Sequence, residues 1–517
     1  MSIQVAYDFP TYNLISNATI PKVFNPEMYG FQGTWPIGEW NERSAQHYDY
    51  YQMASGRILD ATDKMSKNRI YPVKTNVWDF ISSVHAFMSM GEDKDQAPRL
   101  SFIGDGSWDK TRAQRYNQFV SKAWYASGID LFSLFWNINV YGAHAIVVRY
   151  DLNRRFPIFF EPIPATDFFP VLDSAGRVLE YFIHREISHS EAKWRYGVTI
   201  DASAVPYYVE HWDPMSYEVR INGGPAYSSN GERKVISGRN IFGIAPAVYV
   251  PHMRKQDKYG DSQLKDTKEQ GLEFNARIAD VSDGVRGQMT TAYVGHNIKT
   301  PRAIKVGNQV IYNIGDAMDL RDNPEITPLT NSVSIKDSSD FVESLWSMLT
   351  TFAYIPPIAL GVDEGSQRSS LTLRTRFWLL NSHCGVERHN MSEQIIRLGH
   401  MTIIGLRQMG YPDVTTDGLS LEASIEWPEM LPEDRAELLN EMIQRFGAGI
   451  ISRQRAIREF GDVEDVEAEE ALIDADTARK QKEALALAMG AAKAQAAARP
   501  APSGSGGKSK SNQSGGK

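Results

Sequence analysis

The stretch IDLFSLFWNINVYGAHAIVV, residues 129–148, decides the fold class. It is the most apolar window of the chain, but Asp130, Asn137, Asn139 and His144 interrupt it, so it reads as a buried helix running into a buried strand rather than a membrane span. Gly142 closes the helix, and after it the hydrophobic period changes from about four to two. Upstream, residues 41–59, 75–92 and 110–127 read as helices, the last with a start signal at Ser107 or Asp109. Downstream, AHAIVVRYD, FPIFFEPI, VLEYFIHREI, PYYVEHWD and YEVRIN alternate like strands between turn residues. Helices first and an antiparallel sheet after them make an α+β domain over residues 1–250.

The character changes again at DSQLKDTKEQGLEFNARIADVSDGVRGQ, residues 261–288, where Phe274, Ile278, Val281 and Val285 share one helical face. A second helix at 337–354 places Phe341, Leu345, Met348, Leu349 and Phe352 on one face. Between the two lie short strand-like pieces, TAYVGHN and RAIKVGNQVIYNIG, so two amphipathic helices with a small β insertion at their tip are expected. The stretch LGVDEGSQRSSLTLRTR, residues 360–376, links the second of these helices to a helical stretch at 371–409 that reads as interrupted near Asn381–Gly385. It is no Walker loop, because Gly365 is followed by Ser366 and Gln367 instead of Lys and Ser or Thr. GLSLEASIEWP is a strand ended by Pro428, and PEDRAELLNEMIQRF is a helix with acids in its first turn. Ser452 caps the helix that Gly461 ends, and eight acids crowd residues 462–476. From Arg499 the Pro/Gly/Ser/Lys composition is that of a disordered tail.

Composition narrows the function. The 517 residues imply more than one domain or one long discontinuous one, and 63 acids against 55 bases give a net charge of −8. A dedicated DNA-binding protein would carry a basic excess. The single Cys384 can form no internal disulfide, no Cys/His zinc spacing is present, and a reducing compartment is the simple reading. The first residues have no basic and apolar leader pattern, so no signal peptide is expected. Catalytic signatures are also missing. There is no His-Glu-x-x-His, and the one Gly-x-Ser-x-Gly-like string sits in the tail. The acid pairs Glu464/Asp465 and Glu469/Glu470 lie in a charged helical context typical of a solvated face. His184 and His189 are read on opposite faces of one strand and make no ligand pair. Phe132, Phe135 and Trp136 are read as core. Arg374 and Arg376 open a helix and are read as structural, and Lys508, Lys510 and Lys517 lie in the tail without a binding role.

The order of these pieces resembles the bacteriophage portal proteins, which form the ring at one capsid vertex. NVYGAHAIVVRYDLNRRFPIFFEPIPATDFFPVLD resembles a portal wing segment, and YGDSQLKDTKEQGLEFNARIADVSDGV resembles the Gly-x-Ser start of a first stem helix with its internal Asn275. IPPIALGVDEGSQRSSLTLRTRF resembles the exit from the second stem helix, the tunnel loop and the entry to a long kinked helix. IEWPEMLPEDRAELLNEMIQRFGAGIISRQRAIREFGDVEDVEAEEALI resembles the family's strand, Trp-Pro, helix, Ile-Ser, helix and acidic run. The likeness covers roughly residues 125–475.

The resemblance implies a portal-like α+β subunit. Its wing would be 1–260 together with a long kinked helix and returning strand at 371–428. Stem helices would lie at 261–288 and 333–353, a β-containing clip at 289–332, a tunnel loop at 354–370, a helical crown at 429–490 and a disordered tail at 491–517. It implies a cyclic homo-oligomer, a dodecamer by analogy, at the capsid vertex of a virion assembled in the host cytoplasm. Non-specific contact with double-stranded DNA would fall to Gly361, Asp363, Glu364, Gly365, Ser366, Gln367, Arg368, Ser369 and Ser370. Docking of the large terminase and of a head-tail adaptor would fall to Tyr293, His296, Lys299, Arg302 and Lys305 in the clip. The other implied partners are the major capsid protein and scaffold. No cofactor, no metal, no membrane and no catalysis are implied. The rival readings are another virion structural protein, a capsid or tail-tube subunit, and an enzyme.

Overall fold

Gly142 takes the left-handed conformation at φ +78° and closes the helix as expected, and at the other end the Asp130 side chain accepts a hydrogen bond from the Phe132 amide, a cap the sequence reading did not name. The computed structural model describes residues 23–59, 75–91, 98–103, 107–228, 235–253, 258–289, 292–296, 303–306, 309–313, 325–329, 335–360, 370–411, 414, 421–430, 435–460 and 466–497. The chain divides into two compact units, 1–432 and 433–517.

In the first unit the helices are α1 (Ile37–Ala54), α2 (Val77–Met90), α3 (Ser107–Ser127), α4 (Leu131–Tyr141), α5 (His189–Tyr196), α6 (Lys268–Met289), α7 (Ile335–Phe352) and α8 (Ser370–Gln408). β1 (Arg99–Ile103) precedes α3. After α4 come β2 (Ala143–Tyr150), β3 (Ile158–Pro164), β4 (Phe168–Leu172), β5 (Val178–Glu186), β6 (Tyr207–Trp212), β7 (Ser216–Ile221), β8 (Gly224–Pro225), β9 (Ser237–Arg239) and β10 (Ala247–Pro251). These strands form not one sheet but two, both antiparallel. One has the order β10-β2-β3, and the other runs β4-β5-β6-β7-β8 with β9 also on β7.

A buried ion network joins the two sheets. Arg149 of β2 donates through Nε to Glu161 of β3 at 2.7 Å and through both terminal nitrogens to Glu210 of β6. Tyr208 and Trp212 also donate to Glu210. Burial pushes the Glu210 carboxyl up, but the Arg149 charge and these donors outweigh it and hold the carboxyl below its ordinary value.

Four further expectations need correction. First, α8 is unbroken through Asn381–Gly385. Ser382 bonds back to the Trp378 carbonyl, and His383, Cys384 and Glu387 are buried, so packing overrides the weak helix propensity there. Second, His189 is not on the strand of His184. It opens α5, which Ser188 caps from the Glu191 amide, a Ser-x-x-Glu start signal missed beside the histidines. Third, regular helix begins at Lys268, after a 3₁₀ turn at Lys265–Thr267, and not at residue 261. Fourth, the second unit contains α9 (Arg435–Gly447), α10 (Arg453–Phe460) and α11 (Val466–Ala497), so α11 runs past residue 490. Its Ala, Leu, Glu and Lys content sustains the helix. Ser452 does accept from the Arg455 amide.

The strand at 418–428 is β15 (Glu422–Glu426), and it pairs antiparallel with β1, a long-range partner that periodicity could not name. Between α6 and α7 lie β11 (Ala292–His296), β12 (Ala303–Val306), β13 (Gln309–Asn313) and β14 (Glu325–Leu329), in the order β12-β13-β11-β14 with β11 parallel to β13.

Two tests follow from this packing. A Cβ on Gly142 would lie 2.8 Å from backbone atoms of Asp261 and Ser262, whereas one on Gly128, also at positive φ, meets open space. Gly142→Ala is expected to cost about 3 kcal/mol and Gly128→Ala about 1 kcal/mol by chemical denaturation. Glu210→Gln takes from Arg149 the more buried of its two carboxylate partners and is expected to cost about 3 kcal/mol. Because the folded Glu210 is depressed, its stabilisation is present above the unfolded carboxylate pKa of about 4.3 and fades as pH falls below it. The loss in the variant, measured by denaturation from pH 7 downward, should therefore shrink in acid.

Candidate functional site: two paired helices, their sheet and a buried junction

α6 and α7 pack together with Phe274, Leu345 and Leu349 buried between them and against the core, and the Phe274 and Trp346 rings are 5.3 Å apart. Along α6 burial falls away, from Phe274 at 6% exposure to Val285 at 37%. The single apolar face expected on α7 is in fact two. Leu345, Leu349 and Ala353 are buried, whereas Phe341, Met348 and Phe352 are 50%, 42% and 53% exposed. Phe341, Met348 and Phe352 recur at i, i+7 and i+11, one outward stripe flanked by Asp340, Glu343 and Ser344.

Of the expected docking residues, Tyr293 and His296 lie on β11, where His296 pairs with Glu325 of β14, and Lys305 lies on β12 opposite Val310. β13 separates the two strands, so the structure brings the three into one sheet but not side by side. Lys299 and Arg302 lie outside the described residues. So do Gly361, Asp363, Glu364, Gly365, Ser366, Gln367, Arg368 and Ser369 of the expected DNA-contacting loop, while Ser370 is the first residue of α8.

Polar contacts hold the base of the helix pair. Asn275 of α6 accepts the Thr75 amide at 2.8 Å and donates to the Gly271 carbonyl. Trp78 of α2 donates to the Thr267 carbonyl, and it packs so closely that a Cβ on Gly271 would fall 2.5 Å from its ring. Deeper in, His383 and Glu387 project from one face of α8 at i and i+4 toward His85 and Ser89 of α2 and toward His252, just after β10. Glu387 Oε1 lies 2.9 Å from His252 Nε2 and 3.5 Å from His383 Nε2, and Oε2 accepts from the Ser89 hydroxyl at 2.5 Å. All are buried.

Burial alone would raise the Glu387 carboxyl; its hydrogen bonds and the neighbouring imidazoles hold it far below the usual range. Burial, with His383 beside it, pushes His85 down to about 3. Burial and Glu387 push the Cys384 thiol up, so it stays protonated. Beside Glu387, Arg388 donates to the carbonyls of Ser89 and Pro428, and burial lowers it to about 10. Sequence reading missed this junction because its members are scattered from residue 85 to 388. The His383 and Glu387 spacing was its only local trace.

Compared with known families, the chain matches the description phage portal protein, SPP1 Gp6-like, over residues 109–483. The chain belongs to the phage portal proteins. No curated protein matches it. The portal family is structural rather than enzymatic and places the protein in the virion capsid. No described helix is long and apolar enough to cross a membrane.

The two faces of α7 in this portal protein can be separated experimentally. Leu349→Ala opens a cavity in the chain's own core and is expected to cost about 3 kcal/mol in chemical denaturation. Met348→Ser, at an exposed position, is expected to change the stability by less than about 0.5 kcal/mol in the same measurement.

Proposed function

We propose that the chain is one subunit of a closed cyclic ring, a dodecamer by family analogy, that forms the DNA channel of the capsid vertex. The observation that carries this reading is the helix pair α6 and α7 flanking a four-stranded sheet, inside a chain matched to the portal family. In this reading residues 1–260 with 371–428 are the wing, and α6 and α7 are the stem. The sheet β11–β14 is the clip, 354–370 the tunnel loop, and the second compact unit the crown. The outward stripe Phe341, Met348 and Phe352 supports ring closure, since an apolar stripe left open on one copy is covered by a heterologous contact with the next.

The acidic balance fits the work of a channel. A bore that binds phosphates tightly would release counterions and hold the duplex. Net −8 per chain keeps adhesion weak, so DNA slides both in packaging and in ejection. The loop 361–370 offers glycines, hydroxyls and Arg368, which can touch phosphates in any register without reading bases. ATP hydrolysis belongs to the terminase that docks on the clip, with adaptor, capsid protein and scaffold as further partners.

Negative-stain electron microscopy with mass by light scattering tests the reading. Rings of about a dozen subunits around a hole wide enough for a duplex are expected. Phe352→Glu with Met348→Glu should abolish them while leaving the far-ultraviolet circular dichroism unchanged. Wild-type chains that stay monomeric or form shells or open tubes, even with scaffold and capsid protein present, would sink the ring. In packaging assays, substitutions within 361–370 are expected to lower DNA filling without breaking rings.

A further inference from the structure

Three histidines and one carboxylate from separate parts of the chain converge, and two of the imidazoles turn a lone pair toward the carboxylate. His252 Nδ1 lies 2.9 Å from the Asp261 carbonyl. A carbonyl only accepts, so Nδ1 carries the hydrogen, and Nε2 of the neutral ring presents a lone pair. That lone pair faces Glu387 Oε1 at 2.9 Å, which is also an acceptor, and His383 Nε2 at 3.2 Å. His85 is held in the same way. Its Nε2 donates to the Ala353 carbonyl at 2.7 Å, leaving Nδ1 as an acceptor 4.0 Å from the same carboxylate oxygen. A weak thiol donor, Cys384 Sγ, is 3.9 Å from that nitrogen. A hydrogen on His383 Nε2 would serve His252 or Glu387 but not His85 Nδ1, so an acceptor still faces an acceptor in a buried site, and positive charge between them relieves the conflict. One extra proton relieves one such pair; a divalent cation relieves all of them.

The spacing also fits a cation. His252 Nε2, His383 Nε2 and Glu387 Oε1 form a triangle with sides of 2.9, 3.2 and 3.5 Å. Ligands bonded tetrahedrally to zinc at about 2.0–2.1 Å stand about 3.3 Å apart. The ligand atoms of His85, His383 and Glu387 lie within 4.8 Å of one another. The outer contacts match too. Two of the histidines anchor their second nitrogen on a backbone carbonyl, and the second carboxylate oxygen accepts from Ser89. Imidazole donors exclude magnesium and calcium as the preferred ion.

We propose that His252, His383 and Glu387, with His85 as the fourth ligand, bind a zinc-class divalent metal ion. It is a structural site, closed by protein ligands and far from solvent. It fastens α2, the end of β10 and α8 together, and through the Asp261 and Ala353 carbonyls it steadies the entry to the α6 segment and the exit from α7. The proposal does not rest on ring formation and is tested on the full chain in any assembly state.

The experiment is elemental analysis of the full-length protein, purified untagged and without chelator, followed by cobalt(II) substitution. About one zinc per chain is expected, together with tetrahedral cobalt absorption bands after exchange. A strong chelator should lower Tm, and zinc but not magnesium should restore it. Glu387→Gln keeps the side-chain shape and should lose the metal; if that variant does not fold, the wild-type stoichiometry and cobalt spectrum decide alone. Folded wild-type protein with background metal and no cobalt bands would overturn the proposal.

Discussion

The close approach of two backbone segments, 139–142 and 259–263, is the constraint on which the rest of the structure depends. The end of α4 leaves carbonyls without helical partners. They are satisfied from across the core: the Ser262 hydroxyl lies within hydrogen-bond reach of the Asn139 and Val140 carbonyls, and the Gln263 amide donates to Asn139. The His252 amide donates to the Gly142 carbonyl, and Arg43 of α1 reaches the carbonyls of Tyr259 and Gly260. Glycine at 142 and at 260 is required, because a Cβ at either would sit within 3 Å of the other segment's backbone. The helix-to-strand corner of the core and the start of the α6 segment are thereby one rigid joint.

Much of this was legible locally. The change of period at Gly142 located both a helix and a strand, since capping and alternation are written within a dozen residues. The helix pair and the strands between it were read for the same reason. What failed was long-range. β15 was read as a strand, but nothing near residue 424 names β1 as its partner. Asn381 to Gly385 looks like a break because the helix there is held by its neighbours and not by propensity. The α7 stripe was read as one face because Phe341 and Leu349 are equally apolar, and only packing tells which of them turns inward. The DNA-contacting loop was inferred from its order in the chain, and its residues before Ser370 lie outside the described ones. The His85, His252, His383 and Glu387 cluster has no linear signature at all.

These two layers have a common logic. The core of the first unit is large: its sheets share the Arg149 and Glu210 network, and its helices bury Trp78, Tyr116 and Phe135. The helix pair is poorer. Burial fades along α6, and Phe341, Met348 and Phe352 of α7 stay exposed. A two-helix element with one buried seam gains little from its own packing, because helical stability in proteins comes mostly from tertiary contacts. It therefore depends on what holds its base and on what covers its outer face.

The base is held by polar contacts of fixed geometry: Asn275 to Thr75, Trp78 to Thr267, and His85 to the Ala353 carbonyl just after α7. Such contacts set direction, whereas apolar burial is tolerant of rotation. The outer face is apolar and repeats along the helix, which suits a neighbour that meets it at the same angle in every copy. In the proposed ring, a joint that fixes the angle of the helix pair on the core would also fix the angle between successive copies. In a ring that angle determines closure, since a small error per subunit accumulates around the circle into an open helix. Placing directional, buried hydrogen bonds at the root of the pair and leaving nondirectional apolar surface for the neighbour is the distribution of interactions that a closed ring requires.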